Sequence, residues 1–295
     1  MDAGQPDTST EQPRCVPETD EDCRLVVERA EQPCRFDGHA PGDVPTLTPM
    51  PASAVGRTDI ATAAWTGDSW IVATSAGLIL DGDGVEIADR SGSEIIALTT
   101  ANGLVAWSRR TDRGLTVELA QTNGTIDEIF RIDMSDPARA GGGVALEEDG
   151  ILWVGVGDGG YAWNAIDENS LMGAILRVDV TTSPYSIPAD NPNAGHATKR
   201  EELWAFGVRD PTACDSSDGE LLCADRGEEY VEINRITRRA DYGWPYRDGS
   251  LCVEGTCNQR QSGPIASRLA HDECELIPGP HLSDEVPDGR GVRAY

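Results

Sequence analysis

The residues that could take part in chemistry lie in six short segments between Gly141 and Pro245. In chain order the segments are GGGVALEEDGILWVGVGDGG, LMGAILRVDV, YSIPADNP, ELWAFGVRDP, CADRGEEYVEINRI and DYGWP. Each reads as the end of a strand or the loop beyond it, where functional side chains are often found. Asp158 in GVGDGG and Glu232 in EIN offer carboxylates for orienting a base or holding a cation, and Arg209 in FGVRDP offers a permanent positive charge.

Each of these three residues also has an ordinary structural explanation. The aspartate of a GDGG turn commonly accepts hydrogen bonds from its own backbone. Arg209 could simply pair with Asp210 or Asp158, and Glu232 could be a solvated acid on a strand edge. The elements that carry these residues therefore have to be considered with them.

Short β-rich runs separated by Gly, Asp and Asn begin at about Asp59. Examples are DIATAAWT, SWIVATSAGLIL, GLVAWSRR and ILWVGVG. Runs at a spacing of roughly 8–12 residues, without long amphipathic helices, are typical of a sandwich, a barrel or a propeller. The sequence therefore predicts an all-β fold.

The grouping of these runs favours a propeller. EIIALTT, GLVAWSRR, GLTVELAQTNG and IDEIFRID form four consecutive strands linked by tight turns, which is the four-stranded unit of a blade. Four such units are predicted at Asp59–Asp89, Glu94–Asp133, Gly142–Val180 and Glu202–Pro245. The repeat itself is weak, so periodicity alone leaves a sandwich open.

The chain divides into two parts by composition. Residues 1–50 are rich in Pro, Asp, Glu and Thr and contain three cysteines, which indicates a tethered, acidic leader rather than a domain. Residues 51–295 are predicted to contain the propeller portion.

The net charge of the chain is strongly negative. It carries 24 Lys and Arg residues against 51 Asp and Glu residues, a formal net charge of −27, and Lys199 is its one lysine. A surface of this sign repels phosphate backbones and anionic lipid headgroups, which argues against nucleic acid and membrane surfaces as partners. Solubility or a salty habitat accounts for most of these carboxylates.

Eight cysteines indicate disulfide bonds. Their spacings lack the paired CxxC of a zinc site, which favours disulfides in an oxidising compartment. Cys214 and Cys223 flank DSSDGELL, a turn-like stretch, and are expected to face each other across a hairpin; the pairing of the other six stays open. No run resembles a signal peptide or a membrane span, so we expect an extracellular or periplasmic protein whose export signal was removed or replaced by a start codon, with a cytosolic location as the alternative.

Taken in their order, the six segments resemble the glucose/sorbosone dehydrogenase family. Soluble members of that family are six-bladed β-propellers that use pyrroloquinoline quinone (PQQ) and calcium to oxidise a sugar hydroxyl by hydride transfer to the quinone. The resemblance implies the six-bladed type of propeller, with about four blades in this chain. It also implies a fragment or a natural truncation, because a full ring needs more residues than follow the fourth unit.

The resemblance assigns roles in catalysis and cofactor binding. Asp158 matches an aspartate that orients the base, and Arg209 matches an arginine near the quinone carbonyls. The base itself is a histidine that follows an aspartate in the family, and Ala138 and Arg139 stand in place of that pair. A guanidinium has a pKa above about 12 and cannot accept a proton at neutral pH. His196 is more simply a surface loop residue than a replacement base.

The resemblance also implies two calcium sites. The cofactor calcium of relatives is held by backbone carbonyls of a Gly-Pro step, where this chain has Gly227 followed by Glu228 instead of proline. Gly227 is therefore expected to contact the cofactor as well as the metal, and Arg226 brings a positive charge to the same loop. A second, structural calcium would be held by the carboxylate of Glu232 and the backbone carbonyl of Tyr242.

Two functions from different classes follow. The first is a PQQ- and calcium-dependent sugar dehydrogenase, although the expected base is Arg139 and the quinone-contacting glutamine, expected near Gly92, is absent. The second is a secreted, non-catalytic propeller that binds a protein or a carbohydrate, as the hedgehog-interacting relatives of the family bind a protein. A gene product without a function of its own is a third alternative. Cofactor retention and sugar-dependent dye reduction distinguish the first two.

Overall fold

The described part of the chain is built almost entirely from β-strands. The computed structural model describes residues 57–217, 219–228, 230–248, 251–253, 284–285 and 291–292. The helical segments in these ranges are two short 3-10 helices, Pro137–Arg139 and Ala162–Ile166. Neither these nor any other helix in the described ranges has the length and apolar character that crossing a membrane would require. The expected leader, residues 1–50, lies outside the described residues.

The first three sheets each contain four antiparallel strands in chain order. The first sheet consists of β1 (Ile60–Trp65), β2 (Trp70–Thr74), β3 (Leu78–Leu80) and β4 (Glu86–Asp89). The second consists of β5 (Glu94–Ala101), β6 (Leu104–Thr111), β7 (Gly114–Ala120) and β8 (Ile126–Asp133). The third consists of β9 (Gly141–Leu146), β10 (Ile151–Val156), β11 (Ala174–Asp179) and β12 (Leu203–Phe206).

The fourth sheet begins with an antiparallel trio and continues with two short strands. The trio consists of β13 (Pro211–Ser217), β14 (Glu220–Arg226) and β15 (Tyr230–Ile236). A separate pair is formed by β16 (Arg247–Asp248) and β17 (Leu251–Cys252). The two short strands are β18 (Asp284–Glu285) and β19 (Gly291–Val292). Of these, β19 runs parallel to β15.

The four sheets are arranged as the blades of a propeller. Their first strands lie beside one another: β5 contacts β1 and β9, and β9 contacts β13. The glycine run at the start of β9 permits the approach of β9 to β13. A Cβ at Gly143 would lie 2.8–2.9 Å from backbone atoms of Ala213 and 2.9 Å from the backbone nitrogen of Cys214, which is too close for any residue with a side chain. Four-stranded units packed through their innermost strands define a β-propeller. The predicted all-β propeller with four blades is confirmed.

One predicted blade boundary is wrong. The segment LWAF was expected to open the fourth unit, but β12 pairs with β11 through Ala174↔Phe206 and Ile175↔Ala205. It therefore completes the third blade, and the fourth begins at Pro211. The other strands of the third blade follow one another through shorter connections, whereas the chain between β11 and β12 runs from residue 180 to residue 202. Spacing along the sequence could not reveal a pairing across so long a connection.

The third blade is buried on both faces. Along β10, Leu152 and Val154 pack with side chains of the second blade such as Val117. The alternate residues Ile151 and Trp153 pack with side chains of the fourth blade. Successive strand side chains point to opposite faces, so a strand covered on both sides becomes a continuous apolar run, as in ILWVGV.

The predicted disulfide between Cys214 and Cys223 is confirmed. The two residues are directly opposite each other on β13 and β14, and their sulfur atoms are bonded. The bond closes the hairpin whose innermost strand, β13, packs against β9. It therefore restrains the edge of the fourth blade that approaches the third.

Replacing both cysteines by Ala should lower the free energy of unfolding by about 2.5 kcal/mol. A sequence separation of 9 makes a small loop, and loop-closure entropy for a loop of this size gives about that value. Urea unfolding under non-reducing conditions measures it. Truncation of the buried Cys223 costs some stability even without the crosslink. A total loss below about 1 kcal/mol would therefore leave almost nothing for the crosslink, and would show that it does not restrain the unfolded chain as loop-closure entropy requires.

Candidate functional site

The ends of two strands bring Asp158 and Arg209 together. Asp158 follows β10, and Arg209 lies between β12 and β13. The backbone N–H of Asp158 donates to the carbonyl of Arg209 at 2.8 Å. Gly157 allows the chain of Arg139 to pack against the same point, because a Cβ at Gly157 would lie 2.1 Å from the Arg139 carbonyl oxygen. The catalytic and cofactor-binding roles of Asp158 and Arg209 remain predictions.

Asp158 is a fully buried carboxylate with two fixed donors. Its Oδ1 accepts from the backbone N–H of Gly160 at 2.8 Å, as a GDGG turn predicts, and its Oδ2 accepts from the indole Nε1 of Trp244 at 3.0 Å. Burial raises the pKa of Asp158, while the hydrogen bond from Gly160, the charge of Arg139, the Trp244 bond and the charge of Arg209 oppose that rise. The residue therefore holds two loops together besides carrying charge.

Arg139, which the sequence resemblance predicts to stand in place of the family's base, lies beside Asp158. It ends the short 3-10 helix Pro137–Arg139, whose first turn is capped by Asp136. Its Nη1 lies 3.6 Å from Oδ2 of Asp158, and its Nε lies 3.5 Å from Oδ2 of Asp136. A guanidinium therefore faces the carboxylate that would orient a base.

His196 does not take over the position of the base. It lies in an exposed loop, and its Nδ1 accepts from the backbone N–H groups of Thr198 at 3.3 Å and Lys199 at 3.2 Å. These bonds organise the loop after YSIPADNP, which fits the expectation of a surface loop residue.

Arg209 uses two nitrogens for the loop that was expected to bind the cofactor calcium. Its Nη1 donates to the carbonyl of Gly227 at 2.8 Å and to that of Arg226 at 3.2 Å, and its Nη2 lies 3.3 Å from Oε1 of Glu228. The guanidinium carbon lies 5.2 Å from the ring centre of Trp244. A built-in cation therefore holds the Gly227 carbonyl oxygen that a calcium ion would need.

Asp210 pairs with Arg226, not with Arg209 as one alternative proposed. The Nε of Arg226 donates to Oδ2 of Asp210 at 2.8 Å, and its Nη2 donates to the carbonyl of Ala138 at 3.2 Å. The other oxygen of Asp210 accepts from the backbone N–H of Gly141 at 2.8 Å. Both ends of the segment that carries Arg139 are thus fixed by one ion pair.

Two buried carboxylates face each other at the predicted structural calcium site. Asp225 on β14 is directly opposite Glu232 on β15, and their exposures are 4% and 5%. Glu232 is therefore not the solvated acid of the simpler interpretation. Burial raises the pKa of Asp225 to about 8, with a further rise from the charge of Glu232, although the backbone N–H groups of Arg209 and Asp210 donate to it.

Asn234 adds a buried oxygen next to these carboxylates. Its Nδ2 donates to Oε2 of Glu232 at 3.2 Å, while its Oδ1 has no hydrogen-bond partner among the described residues. Within the same ranges no group of three or more His, Cys, Asp and Glu side chains is arranged to hold a metal ion. Buried oxygens that repel each other or lack donors nonetheless match what calcium prefers.

Tyr242, the other residue expected at this site, is anchored by its hydroxyl group. The hydroxyl donates to the carbonyl of Arg235 and accepts from the backbone N–H of Thr237 at 2.9 Å, and burial raises its pKa to about 12. Its backbone N–H donates to the carbonyl of Phe206 at 3.0 Å. The DYGWP segment is thereby tied to both β12 and the end of β15.

Comparison with known proteins identifies the family. The sequence model of the glucose/sorbosone dehydrogenase family matches residues 105–264, more than half of the chain. The chain belongs to this family. The matched part spans most of the second blade, the third blade and the strands β13 to β15, and therefore contains all residues of the candidate site described above.

Curated members of the glucose/sorbosone dehydrogenase family match part of the chain. The HIPL2 protein of Arabidopsis thaliana is 35% identical over 146 residues, which cover 42% of this chain and 21% of that protein. The aldose sugar dehydrogenase YliI of Escherichia coli strain K12 is 30% identical over 130 residues, covering 43% of this chain and 34% of YliI. The chain thus matches about a fifth to a third of the length of these relatives.

Solved structures of sugar dehydrogenases share the fold. An oxidoreductase of Thermus thermophilus described as a glucose dehydrogenase superposes with a TM-score of 0.55 at 24% identity, covering 72% of this chain and 69% of that one. The PQQ-bound aldose sugar dehydrogenase of Streptomyces coelicolor gives a TM-score of 0.53 at 20% identity, covering 67% and 65%. At this identity the similarity establishes the propeller fold.

Sequence reasoning missed three residues of the site: Asp225, Arg226 as an ion-pair partner, and Trp244. Asp225 is buried because it lies two residues from the buried Cys223 on the same face of β14. That alternation was a usable signal. Trp244 gave a weaker signal. Nothing in DYGWP predicts that its indole donates to the carboxylate of Asp158, 86 positions earlier in the chain.

Proposed function

We propose that this chain is a non-catalytic member of the sugar dehydrogenase propellers and acts by binding a ligand at the inherited site. The observation that carries the proposal is the contact of Arg139 with Asp158, 3.6 Å between Nη1 and Oδ2. General base catalysis needs a group that can accept a proton near neutral pH, and a guanidinium is charged far above that range.

The loop at Gly227 supports the same conclusion. A calcium ion at the Gly227 carbonyl would have to share that oxygen with the positively charged Arg209 guanidinium, which donates to it at 2.8 Å. It would also lie close to the positive charge of Arg226, whose own carbonyl accepts from Arg209. Two like charges at short range in a partly buried site repel strongly. The residues of this loop therefore do not fit the cofactor calcium.

One observation favours the alternative, a PQQ-dependent sugar dehydrogenase. Asp158 and Arg209, the two site residues that match the family, lie next to each other and share Trp244 as a neighbour. This arrangement equally suits a binding site that has lost its chemistry. The proposed ligand is a sugar or a protein.

The experiment that tests the proposal is reconstitution. The purified chain is incubated with PQQ and calcium chloride, desalted, and assayed for quinone absorbance and for dye reduction with aldoses, with YliI as the active control. We expect neither retained quinone nor sugar-dependent reduction. Aldose-dependent dye reduction by this chain would overturn the non-catalytic assignment.

A structural calcium ion at Glu232 belongs to the same proposal. The buried pair of Asp225 and Glu232 fits a hard cation, as does Oδ1 of Asn234, which has no hydrogen-bond partner among the described residues. The family resemblance adds the backbone carbonyl of Tyr242 as a further oxygen. The ion would neutralise two carboxylates on the adjacent strands β14 and β15 of the fourth blade. Its role would be structural.

Replacing Glu232 by Gln should lower the stability in calcium but not in chelator. With calcium at a hundredfold excess over Kd, loss of the ion removes about 2.7 kcal/mol. Thermal unfolding in calcium chloride and in excess EDTA measures the difference. The exposed Glu220, replaced by Gln, is the matched control on the same sheet. An equal effect of Glu232→Gln in both conditions would refute the structural ion.

The cellular location forms part of the proposal as well. The disulfide between Cys214 and Cys223 supports an oxidising compartment, because such bonds are rare where thiols are kept reduced. We therefore assign the protein to the extracellular space or the periplasm. Finding these two cysteines reduced in protein isolated from its source under thiol-trapping conditions would argue for the cytosol.

A further inference from the structure

Arg139 has hydrogen-bonding capacity that the described part of the protein does not use. A guanidinium has five N–H donors, yet the Arg139 side chain makes no hydrogen bond to any described residue. Its carboxylate neighbours Asp136 and Asp158 lie at 3.5 and 3.6 Å, beyond the usual N–H···O distance of about 2.7–3.2 Å. The side chain is 30% exposed, so a ligand can reach it from solvent.

Asp158 does not satisfy these donors in its observed position. Each of its oxygens accepts one hydrogen bond, from Gly160 and from the indole of Trp244, and Oδ2 lies 3.6 Å from the nearest Arg139 nitrogen. Because Trp244 is buried, a turn of the carboxylate toward Arg139 would leave the indole N–H unpaired, which is costly. The hydrogen-bonding capacity that Arg139 has left is therefore available to a group that the described residues do not supply.

Arg209 provides a second cation on the other side of Asp158. Its guanidinium lies over the ring of Trp244, which donates to Asp158. Its Nε is buried and has no hydrogen-bond partner within the described ranges. The positive charges of Arg139 and Arg209 thus both act on the one carboxylate of Asp158.

The position of Arg139 is fixed before any ligand binds. Arg226 donates to the carbonyl of Ala138, and Asp210 holds both Arg226 and the backbone N–H of Gly141. These bonds hold the chain on either side of Arg139. Pre-organised donors bind more tightly, because less conformational freedom is lost on binding.

Exposed aromatic side chains follow the same turn. Tyr161 is 58% exposed and Trp163 is 42% exposed in the segment directly after Gly160. The ring of Trp163 packs edge-on against Tyr246, 5.7 Å between centroids, two residues after Trp244. Exposed Tyr and Trp combine an apolar ring with a polar group, which suits a ligand ring that has an apolar face and polar edges.

We propose that Arg139, assisted by Arg209, binds the carboxylate of a sugar acid, with Tyr161 and Trp163 beside the sugar ring. Arginine is the side chain whose planar fork matches a carboxylate. The inference deepens the proposed function and rests on it, because a ligand carboxylate takes the place where a catalytic base would act. A sugar acid differs from a neutral aldose by one charged group, its carboxylate.

Isothermal titration of the full chain with sodium glucuronate, glucose and sodium sulfate at low ionic strength tests the inference. We expect glucuronate to bind at least about tenfold more tightly than glucose, since a hydrogen bond to a charged group accounts for such a factor. Arg139→Gln should weaken glucuronate binding by about tenfold or more. The Arg139→Lys variant should bind glucuronate with an affinity between those of the wild type and the Gln variant. Arg113→Gln, at an exposed arginine outside the site, is the matched control and should leave binding unchanged.

Several outcomes would overturn the inference. Equal binding of glucose and glucuronate, or glucuronate binding that survives Arg139→Gln in a variant with an unchanged melting temperature, removes the role of Arg139. Sulfate binding as tight as that of glucuronate removes the sugar-acid class. Absence of glucuronate binding to the folded wild-type chain overturns this inference alone, whereas aldose-dependent dye reduction in the same preparation overturns the proposed function.

Discussion

Replacing Asp158 by Ala should lower the free energy of unfolding by about 3–5 kcal/mol. The substitution leaves the indole N–H of buried Trp244 without its acceptor, and an unpaired buried donor costs about 1–3 kcal/mol, whereas the backbone N–H of the exposed Gly160 can turn to water. It also removes the negative charge between Arg139 and Arg209, which is expensive when the partners are partly buried. Urea unfolding at neutral pH measures the loss.

Asp158→Asn is the matched control for this prediction. The amide keeps one oxygen acceptor and the shape of the side chain, so it should cost less than half as much as Asp158→Ala. If both variants lost the same amount, the hydrogen bonds to Trp244 and Gly160 would not be the source of the stability. If neither lost any, Asp158 would not join the two loops.

The stability of the protein should fall as the pH rises from about 4 toward 8, and Asp225→Asn should reduce that slope. Asp225 has a pKa of about 8 in the folded protein, against about 3.9 in an unfolded chain. Between these values the folded state holds a proton that the unfolded state has released, so stability is lost by up to about 1.4 kcal/mol per pH unit. Burial also raises the pKa of Asp158, which adds a contribution of the same sign.

Urea unfolding at several pH values in excess EDTA measures this slope without interference from calcium. An Asn at position 225 does not titrate, and its side-chain oxygen can still accept from the backbone N–H of Asp210, which now donates to Asp225 at 2.6 Å. Asp83→Asn, at an exposed turn in the first blade, should leave the slope as in the wild type. A slope unchanged by Asp225→Asn would mean that Asp225 is ionised in the folded protein across this range.

Much of the fold could be predicted because its pairings are local. EIIALTT and GLVAWSRR were predicted as neighbouring strands, and β5 pairs with β6 with Leu98 opposite Trp107. Cys214 and Cys223 were predicted to face each other for the same reason, since a tight turn brings residues on either side of it into register. The prediction was wrong where LWAF completes the third blade, because its partner β11 lies beyond a long connection.

The partners within the site could not be predicted in this way. Arg209 had two plausible carboxylates in the sequence, yet its ion pair is with Glu228, and Asp210 pairs with Arg226. The bond from Arg226 to Ala138 joins residues 88 positions apart. Charges of opposite sign are numerous in this chain, and sequence order does not say which of them the fold brings within reach.

By itself, the amino-acid sequence determined the β-strand pattern, the hairpin disulfide and the strongly negative charge, and it predicted that Arg139 stands where the family has a histidine. These properties depend on residue type and on neighbours along the chain. Only the tertiary structure decided that Arg209 holds the carbonyl of Gly227, that Asp225 and Glu232 are buried face to face, and that the guanidinium of Arg139 lies 3.6 Å from Asp158. The reason is physical: burial and charge pairing depend on distances between side chains in the folded chain, which packing sets and sequence spacing does not.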